Sequence, residues 1–91
     1  MDIYITTYNC EEDGAVISYA YLTLEEQKRD FIRWVAEITD ACANADNVED
    51  IAACRENAAN FVEFGHVKHG ASFTDYCGDA THTFTFFKRN I

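Results

Sequence analysis

Three imidazoles and a thiol fall close together near the end of the chain: His66-Val67-Lys68-His69, then Cys77, then His82. These are the ligand types that a tetrahedral zinc site prefers. The spacing is not that of a helical H-E-x-x-H site, because Val67 and Lys68 hold the middle positions, and Lys68 would repel a divalent cation if it turned inward. On an extended strand, residues three apart face opposite sides, so His66 and His69 converge only across a turn or bulge. The expectation is surface histidines and a buried cysteine, with His66, His69, Cys77 and His82 kept as the metal candidates and no cofactor called for. Cys77 lies between Asp75 and Asp79, which also suggests a thiol, imidazole and carboxylate arrangement. Flanking carboxylates raise a thiol pKa, however, and no cationic cluster or helix N-terminus compensates for them.

Other chemistries find less. Gly14, Gly65, Gly70 and Gly78 are too scattered for a dinucleotide fingerprint or a phosphate-binding loop. Lys68, Lys88 and Arg89, interleaved with Phe73, Tyr76, Phe84, Phe86 and Phe87, have the composition of a single-strand nucleic-acid platform. Three cations make a thin patch, and the aromatics read more simply as the core of a sheet. With sixteen acids in 91 residues, adjacent carboxylates arise by chance, and nothing marks a pair as catalytic. Binding is therefore expected rather than catalysis.

The elements that must position these residues are short. Ile3, Ile5 and Tyr8, and then Val16 to Thr23, are β-branched and aromatic stretches on either side of the polar turn Cys10-Glu11-Glu12-Asp13-Gly14, which predicts a β-hairpin. Thr23-Leu24-Glu25-Glu26 fits a capping box, and Leu24, Phe31, Val35, Ile38 and Cys42 form one apolar stripe on a helix to about Ala43. Trp34 lies beside that stripe, suited to core or interface. On the opposite side Glu25, Arg29, Arg33 and Glu37 form a solvated ladder of i,i+4 neighbours.

Asn47, with Asp50 three residues on, predicts the cap of a second helix from Val48 to about Phe64, with Val48, Ile51, Ala52, Ala58, Ala59 and Val62 turned inward. The remainder, from His66 to Arg89, predicts two short strands around a turn at Gly78-Asp79, with Phe84 and Phe86 inward and Thr83 and Thr85 outward. The order ββααββ gives an α+β fold: a small antiparallel sheet covered on one face by a two-helix hairpin, as one domain over residues 1–91.

Charge separates the two ends of the sequence. Residues 1–65 hold fourteen acids and four bases, and residues 66–91 hold two acids and three bases, for a net charge of −9. That balance opposes direct attraction to nucleic acid or to an anionic membrane and favours a cationic protein surface. The candidate partner-binding residues are Glu11, Glu12 and Asp13 in the first turn, Glu26, Asp30, Glu37 and Asp40 along the first helix, and Asp46, Glu49 and Asp50 at the helical hairpin. Charge reversal at Glu26, Asp30 and Glu37 is expected to weaken partner binding while sparing the fold.

No C-x-x-C pair occurs among Cys10, Cys42, Cys54 and Cys77, which are expected to be mostly reduced and buried. No apolar run is long enough to span a membrane, and Asp2 sits where a secretory signal would be positive. A chain of this length is marginal alone, so a homo-oligomeric ligand-binding or structural domain, such as a homodimer, using Trp34, Tyr19 or Tyr21 at its interface is an alternative.

In size, acidity and α+β pattern the chain resembles the short acidic proteins by which bacteriophages inhibit host defence, anti-CRISPR and antirestriction inhibitors among them, some of which mimic DNA. The resemblance implies an inhibitor that occupies the cationic nucleic-acid-binding surface of a defence protein or effector complex. It also implies a cytoplasmic location, in the host cell if the chain is phage-encoded.

Overall fold

In the computed structural model, which describes residues 1–12 and 14–91, the chain runs β1 (Asp2–Cys10), β2 (Val16–Tyr21), α1 (Leu24–Cys42), α2 (Val48–Glu63), β3 (Ser72–Cys77) and β4 (Ala80–Asn90). The strands form one antiparallel sheet in the order β2-β1-β4-β3, so the two terminal hairpins join through their first and last strands. Met1 and Ile91 meet where those strands end: the Ile91 amide donates to the Met1 carbonyl at 2.8 Å, and the N-terminal ammonium donates to the Ile91 carbonyl at 2.9 Å. No helix among the described residues is long and apolar enough to cross a membrane.

The predicted turns form for the predicted reasons. Gly14 has a φ of +67°, and its amide closes the first turn on the Cys10 carbonyl at 3.0 Å. Gly78 and Asp79 both have a φ of +62°, the paired positive angles of a two-residue hairpin turn. Thr23 caps α1, its hydroxyl accepting from the Glu26 amide at 3.1 Å. Gly65 (φ +73°) ends α2: its amide bonds the Val62 carbonyl, and the His66 amide bonds the Phe61 carbonyl.

The core lies between the helices and one face of the sheet. Phe31 of α1 packs edge-on against Phe73, Phe84 and Phe86, with ring centroids 5.0–5.2 Å apart. Trp34 belongs to this core, against Tyr8 and Phe84, with Tyr19 at its rim. Phe84 and Phe86 are buried, and Thr83 and Thr85 point the other way.

Several details differ from expectation. The buried face of α1 includes Gln27 and Thr39, whose polar groups are satisfied internally. The Gln27 amide donates to the Ile5 carbonyl and the Thr6 hydroxyl, and the Thr39 hydroxyl donates to the Val35 carbonyl. The buried face of α2 is Ile51, Cys54 and Ala58, with Phe61 and Val62 partly covered, whereas Val48, Ala52 and Ala59 are exposed. Asn47 makes no side-chain cap for α2. Its side chain instead accepts from the Asn44 amide and donates to the Cys42 carbonyl, binding the interhelical loop to the end of α1. His66 to Gly70 is a loop rather than strand, and β4 is the longest strand of the sheet.

Candidate partner-binding surface

The chain path brings three loops to one end of the molecule. β1 ends at Cys10, β4 begins at Ala80, and the Cys10–His82 pairing sets the β1–β2 turn beside the β3–β4 turn. α1 ends at Cys42 directly over Gly78, so close that a β-carbon on Gly78 would stand 2.5 Å from the Cys42 sulfur. The interhelical loop is thereby seated on the β3–β4 turn. An open hollow of about 590 Å³ lies at this junction, with Asp46, Asp50 and Asp79 in its wall. Tyr76 and Asp79 also wall a neighbouring hollow with Glu11 and Glu12, and Asp46 and Asp50 share a third with Glu49.

Glu11, Glu12, Asp46, Glu49, Asp50 and Asp79 thus form one acidic end, and among the described residues no Lys or Arg lines any of its three hollows. Glu49 and Asp50 occupy the first turn of α2, where carboxylates favour the helix dipole. Asp79 suits the positive φ of its turn, whereas Glu11, Glu12 and Asp46 have no such local reason to be acidic. Asp13 was expected to join them but lies outside the described residues. Asp79 was not among the expected residues. Its turn chemistry was evident in the sequence, but its neighbours became evident only from the packing of the interhelical loop on the β3–β4 turn.

The acids of α1 stand differently. Arg33 bonds both Asp30 and Glu37, and the Tyr21 hydroxyl donates to Asp30, which is half-buried rather than exposed. Burial and the Asp30 bond push the Tyr21 pKa upward, so the phenol keeps its proton. Glu26, Asp30, Arg29 and Arg33 line a mixed-charge cleft with Tyr21. Glu25 pairs with Lys28 rather than Arg29. Asp40 pairs with Arg55 of α2, whose guanidinium also donates to the Thr39 hydroxyl at 2.7 Å. Glu26 and Glu37 are exposed as expected. The negative charge free of cationic partners therefore concentrates at the loop end rather than along the helix.

The four metal candidates are not brought together. His69 lies beside the end of β4, accepting from the Lys88 amide at 2.9 Å, and His66 packs near Phe61. His82 is six residues from Lys88 along the strand, roughly 20 Å at ~3.3 Å per residue. Its ring nitrogens are both occupied, by the Tyr8 hydroxyl at 2.6 Å and the Cys77 carbonyl at 2.9 Å. Among the described residues no group of three or more His, Cys, Asp or Glu is arranged to hold a metal ion.

All four cysteines are free; Cys10, Cys54 and Cys77 are buried, and Cys42 is half-buried. Burial, the neighbouring Cys42 and Asp75 push the Cys77 thiol up to about 11, and burial and Asp75 push Cys54 up to about 12. Both are protonated at neutral pH, the wrong state for a nucleophile. Comparison with known protein families, with curated proteins and with solved structures gives no match.

Proposed function

We propose that this chain is a small acidic binding protein that inhibits a host-defence protein or complex by occupying its cationic nucleic-acid-binding surface, as some of the anti-CRISPR and antirestriction proteins it resembles do. The observation that carries this reading is the convergence of acids from three separate loops on one end without an intervening cation. Such an end focuses a negative potential, speeds encounter with Lys and Arg clusters, and competes with phosphate for them. The protonated thiols and the separated histidines favour binding over catalysis. The partner is a protein, and neither direct nucleic-acid binding nor membrane association is part of the proposal.

The test is capture from host lysate at low salt, followed by elution with rising salt and with duplex DNA. Release by both is expected, because the contact replaces phosphate contacts that depend on counterions. The variant Glu12→Lys, Asp46→Lys, Glu49→Lys should retain the fold by circular dichroism and lose the captured protein. The pair Glu26→Lys, Glu37→Lys should weaken capture less, since Arg29 and Arg33 already moderate the charge there. Capture that survives reversal of the loop acids, or resists salt and DNA, would remove the electrostatic mechanism.

A further inference from the structure

The helices cover one face of the sheet and leave the other open. The strand register defines the open face row by row: Ser18, Thr7, Thr85 and Ser72 cross all four strands, and Val16, Asn9, Thr83 and Thr74 form the next row. Beyond them Ala20, Ile5 and Phe87 make an apolar row. Among the described strand residues that point to this side, Arg89, at the end remote from the acidic loops, is the sole charge. A water-facing sheet ordinarily alternates into polar and charged residues, and this chain has charge in abundance. Its absence here calls for a physical reason other than solubility.

We propose that this open face is the contact surface of a homodimer in which two copies pack back to back, sheet against sheet. Three observations select a second copy as the occupant. The first is charge: with a net −9 per chain, copies repel over most of their surface, and the open face brings them together without opposing carboxylates. Back-to-back packing turns both helix layers outward, and each molecule is about 17 Å thick, beyond the ~8 Å over which salt lets such layers interact. A cationic partner, by contrast, gains nothing electrostatically from a face whose sole charge, Arg89, is itself cationic.

The second is the state of the hydroxyls. Thr7 and Ser18 bond each other at 3.1 Å, and Thr74 and Thr83 at 3.3 Å, so these four hydroxyls are partnered within the sheet and covering them costs little. The third is area. Strands of nine, six, six and eleven residues, rising ~3.3 Å per residue and spaced ~4.8 Å, give a footprint of roughly 500 Å² per copy. Two such footprints reach the ~1,000 Å² total that a specific interface needs. Aligned sheets pack ~10 Å apart, which suits rows of threonine and short aliphatic side chains.

Sedimentation equilibrium across micromolar to submillimolar concentration tests the proposal. The expected result is passage from the 10.4 kDa chain to twice that mass, with tighter association as salt rises because the acids of the two copies are screened. Thr7→Lys with Thr85→Lys sets like charges across the middle of the contact and should weaken association by about tenfold or more. Thr7→Val with Thr85→Val keeps the β-branched shape and should tighten it. A chain that stays monomeric at every concentration overturns the proposal. So does a dimer indifferent to both pairs, or one lost only on Ser18→Pro, which marks pairing through the β2 edge.

Discussion

Gly78 meets two demands at once. Its φ of +62° lies where a side chain is strained, and the Cys42 sulfur occupies the space that a β-carbon would need. Gly14 has a similar φ of +67° with nothing within 4 Å of that position. The pair separates the two effects. Gly14→Ala should cost about 1 kcal/mol, the strain alone. Gly78→Ala should cost ~2–4 kcal/mol, because the interhelical loop must also lift from the β3–β4 turn. Urea unfolding of the two variants checks the difference, and equal losses would mean that Cys42 yields freely. The sequence marks Gly78-Asp79 as a turn because the dipeptide suits positive φ. Nothing local announces Cys42, which is 36 positions away.

At the level of elements, α1 was legible in its cap and its length but not in its polar interior. Phe31 and Val35 follow the apolar period, whereas Gln27 and Thr39 are buried because their hydrogen bonds close on the sheet and on the helix itself. Periodicity reads hydrophobicity and is blind to such closure. The same limit explains α2, where small alanines satisfy an inward stripe at several rotations and the buried set follows Ile51 and Cys54. The ββααββ order was readable because glycine turns close both hairpins, Thr23 caps α1 and Gly65 ends α2. The acidic end was half-readable: Glu11, Glu12, Asp46, Glu49 and Asp50 are in loops or a first turn, but their convergence requires the strand order. Gln27 anchors α1 to β1, and Gln27→Leu should cost ~1–3 kcal/mol by leaving the buried Thr6 hydroxyl without that donor. A urea midpoint unchanged from the parent would show that the anchor contributes nothing net.

Across the whole molecule, the acidic end opposes folding even as it supplies the surface proposed above for recognition. Like charges gathered at one end repel in the folded state and separate in the unfolded one, so screening should stabilise the fold. The melting temperature, measured at concentrations low enough to keep the chain monomeric, should rise by several degrees as sodium chloride screens the repulsion. The loop-acid reversal should reproduce a share of that gain without salt. A melting temperature indifferent to salt would mean that the charges are already balanced by their neighbours. The paired ends carry a separate consequence. Because β1 and β4 lie side by side with Met1 and Ile91 in contact, tension applied through the two termini loads that ladder from one end. Its hydrogen bonds then break in succession, as a zipper opens, rather than in concert as in a sheared pair. A fold held by its packed aromatic core thus presents its weakest direction to any device that pulls it by both ends.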